Sequence, residues 1–100
     1  MYLKLIAAIV MGLGVTTAAK AEQGVSATEI LIGEVEPLSG PPGLLGIAYA
    51  AGTKMAIAEA NNAGGVDGKK LRLIVEDDGY VAARTIPAVK KLIEVDKVFA

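Results

Sequence analysis

The sequence predicts an α/β fold in which a parallel sheet carries helices on both faces. Two apolar runs, at residues 29–35 and 70–77, have the length and the Ile, Leu and Val content of buried strands. A segment with helical periodicity follows each run, and this order favours parallel strands joined by right-handed crossovers. Two helices and little more than two strands cannot cover both faces of such a sheet. We therefore expect the sheet to be incomplete here and the chain to be the opening part of a longer protein.

Length and composition exclude several classes of function. The chain has 100 residues, which is one domain at most. Its 10 basic and 11 acidic residues nearly balance, so the sequence predicts no nucleic-acid surface. The absence of cysteine and histidine excludes disulfides, thiolate nucleophiles and thiolate or imidazole metal sites. Carboxylates and carbonyls remain as metal ligands, but the sequence predicts neither a metal site nor a cofactor.

The first 21 residues have the pattern of a cleaved signal peptide. Lys4 precedes an apolar run of about 11 residues, and Ala19-Lys20-Ala21 matches a small-residue cleavage site. A membrane anchor and a core helix are the alternatives, but the run is too short to span a bilayer. No cysteine follows the run, which excludes a lipid anchor. We expect residues 1–21 to be removed and residues 22–100 to belong to an exported product, most simply a periplasmic one.

Residues 29–63 predict a strand, a rigid turn and a helix. Pro41 and Pro42 lack backbone donors, so the turn at residues 37–43 cannot extend the strand. From residue 44 to residue 63, apolar positions at steps of three and four predict a helix with one apolar stripe, formed by Leu44, Ala48, Ala51, Met55 and Ala58. Gly52, with Ala48 and Ala56, is interpreted as a flat face that lets the helix approach the sheet closely.

The second half of the chain repeats this order. The strand at residues 70–77 alternates partly between apolar and polar positions, which favours a place near a sheet edge. A helix is predicted at residues 82–96, with an apolar stripe of Ala82, Ile86, Val89 and Ile93. Pro87 falls within it, so the helix either begins near Arg84 or kinks at Pro87. Residues 98–100 predict the start of a third strand.

The turn at residues 37–43 is the first candidate site, because ligands of α/β sheets bind at the carboxyl ends of strands. Its glycines follow a G-x-x-G-x-x-G spacing, which differs from the dinucleotide fingerprint G-x-G-x-x-G. A small-molecule site is the other functional interpretation, in which Ser39 offers a hydroxyl and the helix start offers unpaired N–H groups. The structural alternative is that Ser39 only caps the turn or the helix.

A run of three acids, Glu76-Asp77-Asp78, is the second candidate site. Acid–base catalysis or a cation site is conceivable, but the sequence shows no partner histidine, no second acidic cluster and no activated nucleophile. The pattern therefore favours a solvated strand end that also supplies negative charge to the next helix. Tyr49 and Tyr80 either face a ligand or are half-buried structural residues.

Several short motifs together resemble one family. They are, in order, Ile32-Gly33, Pro37-Leu38-Ser39-Gly40-Pro41 with Gly46, Asn62-Ala63-Gly64-Gly65-Val66-Asp67-Gly68-Lys69, Glu76-Asp77-Asp78, Lys91-Leu92-Ile93 and Asp96-Lys97-Val98-Phe99-Ala100. In this order and spacing, residues 29–100 resemble the periplasmic solute-binding proteins of branched-chain amino-acid ABC transporters, including relatives that bind amides, urea or aromatic acids. The resemblance implies a type I periplasmic-binding fold like that of leucine-binding proteins, with two α/β lobes that close on a ligand about a hinge. Residues 22–100 would start the first lobe.

The resemblance implies a binding module and not an enzyme. The full-length protein would capture a small amino acid or related compound in the periplasm and deliver it to the membrane permease of an ABC transporter, as a monomer without a cofactor. Two alternatives stay open. One is a ligand sensor of the same fold, and the other is an exported α/β enzyme that uses Asp77 or Asp78.

The resemblance also implies three ligand-binding residues. In the family, the turn after the first strand lines the cleft, which implicates Ser39 and Gly40. The family residue before the glycine at position 46 is often aromatic and touches the ligand side chain. Here that residue is Leu45, so the contact is aliphatic or lost, and the leucine, isoleucine or valine assignment is in doubt. The family's main contacts to the ligand carboxylate and amine come from loops beyond Ala100.

Overall fold

The computed structural model describes residues 21–100 together with residue 14. It contains β1 (Glu29–Glu36), α1 (Gly43–Asn62), β2 (Lys70–Asp77) and α2 (Ala82–Lys90), followed by a π-helical turn at Lys91–Val95. The predicted signal peptide at residues 1–21 lies outside the described residues, apart from positions 14 and 21. None of the helices within residues 21–100 has the length and hydropathy of a membrane span.

The strands form a parallel sheet, as the sequence predicts. β1 and β2 pair in a register that sets Glu36 opposite Asp77. On the other side of β1, the Phe99 amide donates to the Leu31 carbonyl at 2.8 Å, so residues 98–100 lie beside β1 without forming a regular strand. Right-handed crossovers to the two sides of β1 place α1 and α2 on opposite faces. The predicted α/β fold with helices on both faces is therefore confirmed.

α1 packs on the sheet through a different face from the predicted stripe. Its buried residues include Gly46 and Ala50, whereas every member of the predicted stripe is exposed, Met55 to 73%. A Cβ atom on Gly52 would meet no atom within 4 Å, but one on Gly46 would lie 1.9 Å from the carbonyl oxygen of Pro37. The close approach of helix and sheet occurs at Gly46, and the prediction for Gly52 is wrong.

α2 begins at Ala82, so the alternative start near Arg84 is wrong and Pro87 lies inside the helix. A proline has no N–H, so Pro87 cannot donate to the carbonyl four residues earlier. The helix continues to Lys90 and then widens into the π-helical turn, where the Asp96 amide donates to the carbonyl five residues earlier at 2.9 Å. The regular helix is therefore shorter than predicted.

The buried face of α2 and its π-helical turn is also displaced from the predicted stripe. Ala88 and Leu92 are buried, whereas Ile86, Val89 and Ile93 are exposed. Leu92 packs against Gly33 of β1. A Cβ atom at Gly33 would lie only 3.0 Å from the Leu92 side chain. The missing side chain at Gly33 therefore leaves room for Leu92 to pack against the sheet.

Asn61 connects the end of α1 to β2, at the strand edge that faces away from β1. Its side-chain amide donates to the Leu71 carbonyl and its oxygen accepts from the Leu71 amide, both at 2.8 Å. Asn61→Ala leaves both partly buried backbone groups unpaired, so we expect the free energy of unfolding to fall by about 2 kcal/mol. Urea unfolding measures this change. Asn62→Ala, at the exposed next position, is the control, and equal stability of the two variants would contradict the proposed role of Asn61.

Candidate functional site

The parallel register brings the carboxyl ends of the two strands side by side. β1 ends at Glu36, directly opposite Asp77 at the end of β2. The turn at residues 37–43 and the loop at residues 78–81 therefore leave the sheet at the same edge. This edge is where open α/β sheets bind their ligands.

Asp77 joins the turn to the loop. Its Oδ1 accepts hydrogen bonds from the amides of Leu38 and Gly79, both at 2.8 Å. Its Oδ2 accepts from the Ser39 hydroxyl at 2.6 Å and lies 3.7 Å from the Arg84 guanidinium. One carboxylate thus holds the backbone on both sides of the edge in place.

These bonds also set the protonation state of Asp77. The Ser39 hydroxyl, followed by the amides of Leu38 and Gly79, lowers the pKa of Asp77 from 3.8 to about 2. Asp77 is therefore ionised at neutral pH and can only accept hydrogen bonds, so Ser39 must be the donor. The Ser39 hydroxyl donates its proton to the hydrogen bond with Asp77. Towards a ligand, the Ser39 oxygen can therefore only accept a hydrogen bond.

Asp78 holds the loop after β2. It is only 8% exposed and accepts hydrogen bonds from the Tyr80 amide at 2.9 Å and the Thr85 hydroxyl at 2.7 Å. The Thr85 hydroxyl, followed by the Tyr80 amide, lowers the pKa of Asp78. Tyr80 has a φ of +63°, a left-handed conformation that costs a non-glycine residue on the order of 1 kcal/mol. The bond from Asp78 stabilises Tyr80 in this conformation.

Each acid of the Glu76-Asp77-Asp78 run therefore has a partner within the fold. Glu76 pairs with Lys91, which also lies 3.0 Å from Asp96, while Asp77 and Asp78 hold the turn and the loop. The interpretation of this run as a solvated strand end is wrong for Asp78, which is buried, whereas Glu76 and Asp77 stay partly exposed. Asp77 and Asp78 lie beside Arg84 and Thr85 of α2, which agrees with the predicted negative charge at that helix. Within residues 21–100, no group of three or more acidic residues is arranged to hold a metal ion.

A hollow of about 430 Å³ opens at this edge. Its lining combines the end of β1, the turn, the first turns of α1 and the loop after β2, namely Glu36, Pro37, Pro42, Leu45, Gly46, Tyr49 and Tyr80. Leu45, Tyr49 and Tyr80 are 75%, 70% and 79% exposed. The tyrosines are therefore not half-buried structural residues, and both face the hollow. A smaller hollow of about 210 Å³ lies at the amino end of β1, away from both loops.

The structure places the three predicted ligand-binding residues in and beside this hollow. Leu45 is part of the lining. Ser39 and Gly40 lie in the adjoining turn, where a φ of +70° at Gly40 permits the tight bend that leads into α1. Glu36 is not among the residues predicted from the sequence, although its place as the last residue of a strand is a signal for it. Tyr49, which the sequence offers as a ligand-facing candidate, lies one helical turn after Leu45 on the same side of α1 and lines the hollow.

Two of the first three backbone amides of α1 are paired within the turn, which leaves fewer donors at the helix start than the sequence predicts. The N-cap residue is Pro42, which has no N–H. The amide of Gly43 donates to the Gly40 carbonyl at 3.0 Å, and the amide of Leu45 donates to the Pro42 carbonyl at 3.1 Å. The turn itself supplies carbonyl acceptors for these two amides, whereas the backbone hydrogen bonds found within residues 21–100 include none from the Leu44 amide.

Residues 29–100 match the sequence model of the periplasmic binding protein family. Among curated relatives, Leu/Ile/Val-binding protein homolog 7 from Brucella abortus (strain 2308) is 36% identical over 73 residues, which cover 73% of this chain and 18% of that protein. The family match, at residues 29–100, includes both strands, both helices and the site between them.

Solved structures are similar over most of the chain. The branched-chain amino acid transporter substrate binding protein of Streptococcus pneumoniae, in complex with isoleucine, is 31% identical with a TM-score of 0.68, over 71% of this chain and 20% of that one. A fatty acid ABC transporter substrate-binding protein from Thermomonospora curvata is 26% identical with a TM-score of 0.67, over 79% and 20%. The chain spans about a fifth of the length of these three proteins. From the family match and these similarities, the chain belongs to the periplasmic binding protein family.

Proposed function

We propose that the full-length protein is an exported solute-binding protein that captures a small amino acid or related compound and delivers it to the permease of an ABC transporter. The observation that carries this proposal is the hollow at the carboxyl ends of two parallel strands, in a chain that belongs to the periplasmic binding protein family. The similar proteins are named for amino-acid or fatty-acid ligands, and one was solved with isoleucine. The proposed ligand is therefore a small compound with an aliphatic part.

We further propose that residues 1–21 are removed on export, so that the mature protein begins at Glu22 and acts in the periplasm as a monomer. The proposal is for a binding protein without catalysis. The carboxylates of Asp77 and Asp78, which an enzyme at this edge would use, are held by amides and hydroxyls that lower the pKa of both. A carboxyl group with a lowered pKa is a poor proton donor or acceptor near neutral pH.

The proposed ligand contacts are Ser39, Gly40 and Leu45. Leu45 offers an exposed apolar side chain within the hollow. Ser39, which donates to Asp77, retains lone pairs that can accept from an N–H group of the ligand. Gly40 is exposed and has no side chain, so a ligand can approach the backbone of the turn closely.

The Leu45→Ala variant of the full-length protein tests this assignment. We expect the dissociation constant for its ligand to rise at least about tenfold, because a leucine side chain buried by a ligand contributes about 1.5 kcal/mol or more. The melting temperature should stay nearly unchanged, because Leu45 is 75% exposed without ligand. Calorimetric titration with a panel of amino acids and small amides measures the affinity.

Leu44→Ala is the matched control for this experiment. Leu44 is the preceding residue of α1 and is 80% exposed, but it does not line the hollow. We expect its variant to bind like the wild type. Equal affinities of the wild type and the Leu45→Ala variant would contradict the role of Leu45, and a wild-type protein that binds no member of the panel would contradict the proposed capture of such solutes.

A further inference from the structure

The hollow contains a carboxylate that the fold does not use. Glu36 is partly exposed and forms part of the lining. The ion pairs and side-chain hydrogen bonds found within residues 21–100 include none to the Glu36 carboxylate, whereas Glu76, Asp77 and Asp78 all have partners. The side chain of Glu36 is therefore available to a ligand in the hollow.

The other side chains of the hollow suit a positively charged group on an apolar body. Tyr49 and Tyr80 are largely exposed and lie in the same lining as Glu36. The face of a tyrosine ring attracts a cation that lies within about 6 Å of its centroid. Leu45, also in the lining, provides an aliphatic surface for the uncharged part of the ligand.

An anionic group finds little in the hollow to bind it. The lining contains no lysine or arginine. The guanidinium of Arg84 lies next to Asp77, and the amides of Gly43 and Leu45 at the start of α1 already donate to carbonyls. Pro37 and Pro42, also in the lining, have no N–H to donate.

A second carboxylate lies behind Glu36. Glu34 is two residues earlier in β1, and alternate residues of a strand point to the same face. Its Oε1 is buried and has no hydrogen-bond partner among the described residues. Glu34 therefore adds a second acidic side chain on the face of the strand from which Glu36 extends into the hollow.

We propose that the hollow binds an organic cation, an ammonium group on a short apolar chain, with Glu36 as its counter-ion and Tyr49 and Tyr80 as flanking aromatic surfaces. This inference rests on the proposed solute-binding function. It adds that the part of the solute that reaches this hollow is positively charged.

Three small probes of similar shape and different charge test the proposal on the full-length protein. They are 3-methylbutylamine, which is a cation at neutral pH, the neutral 3-methyl-1-butanol, and the anion 3-methylbutanoate. NMR titrations follow the ring signals of labelled tyrosines, assigned with Tyr49→Phe and Tyr80→Phe variants. We expect the amine to shift both signals with a dissociation constant about tenfold lower than that of the alcohol, because an ion pair and cation–π contacts act together.

The Glu36→Gln variant removes the charge and keeps the shape of the side chain. We expect it to bind the amine no better than the alcohol, while Glu59→Gln, at an exposed position of α1, keeps the wild-type preference. Equal affinity of the wild type for amine and alcohol would overturn the proposal, as would preference for the anion, or an unchanged amine preference in Glu36→Gln.

The amino-acid panel separates this inference from the proposed function. A protein that binds a member of the panel but shows no amine preference overturns the cation site and leaves solute capture standing. A protein that binds no member of the panel, but prefers the amine in the wild type and not in Glu36→Gln, supports the cation site and contradicts the capture of such solutes.

Discussion

Gly46→Ala is expected to lower the free energy of unfolding by about 3 kcal/mol, because α1 has no room for a methyl group at this point. A Cβ atom at Gly46 would lie 1.9 Å from the carbonyl oxygen of Pro37 and 2.6 Å from its carbonyl carbon. Both are backbone atoms, so the conflict is relieved only if the first turns of α1 move away from the end of β1. That movement would also deform the hollow, and we expect ligand affinity to fall with stability.

Gly52→Ala in the same helix is the matched control for Gly46→Ala. A Cβ atom at Gly52 would meet no atom within 4 Å. Alanine is favoured over glycine by about 1 kcal/mol in a helix interior, so this variant should be more stable than the wild type. Urea unfolding of both variants gives the comparison. If the two substitutions changed stability by the same amount and sign, the close approach at Gly46 would be wrong.

Asp77→Ala is expected to lower the melting temperature at neutral pH and to weaken ligand binding. It removes the acceptor of three hydrogen bonds, from Leu38, Ser39 and Gly79, that join the turn to the loop. Asp77→Asn should have a smaller effect, because its side-chain oxygen can still accept from the two amides. The control is Asp67→Asn, in the exposed turn before β2, where asparagine also tolerates the observed positive φ.

The effect of Asp77→Ala should depend on pH in a defined direction. The pKa of Asp77 is about 2 in the folded protein, below the ordinary value of 3.8 that applies to the unfolded chain. A lowered folded-state pKa stabilises the fold at pH values above 3.8, and this contribution is lost as the pH falls towards 2. The difference in melting temperature between wild type and variant should therefore shrink across that interval. A difference that stayed constant down to pH 2 would contradict the assignment of the bonds to ionised Asp77.

The order of the elements and the limits of β1, α1 and β2 could be predicted, because turn residues stand between them in the sequence. Pro41 and Pro42 cannot continue β1, and the apolar runs have the length of strands. The end of α2 at Lys90 could not be predicted, because the apolar pattern continues through the π-helical turn. The orientation of α1 could not be predicted, because this helix is apolar on almost every side. Its contact with the sheet depends on the smallest residues, Gly46 and Ala50, and a search for large apolar positions selects the exposed face instead.

The candidate site could be predicted only where it is local in sequence. Leu45 follows from the resemblance of the turn and the start of α1 to the periplasmic solute-binding proteins, in which the residue before the glycine at position 46 touches the ligand. The meeting of Glu36, Tyr49 and Tyr80 depends on the register of two strands 41 residues apart, which sets Glu36 opposite Asp77. No pattern within either segment specifies that register, so the charge of the hollow became apparent only from the structure.

A crystal structure of the full-length protein with its captured solute would test the central claim most directly. The claim is that the hollow at the carboxyl ends of β1 and β2 is part of the ligand site. We predict solute atoms within about 4 Å of Leu45 and Tyr49, the distance of van der Waals contact. A solute bound elsewhere, with no atom in contact with any residue of this hollow, would contradict the claim.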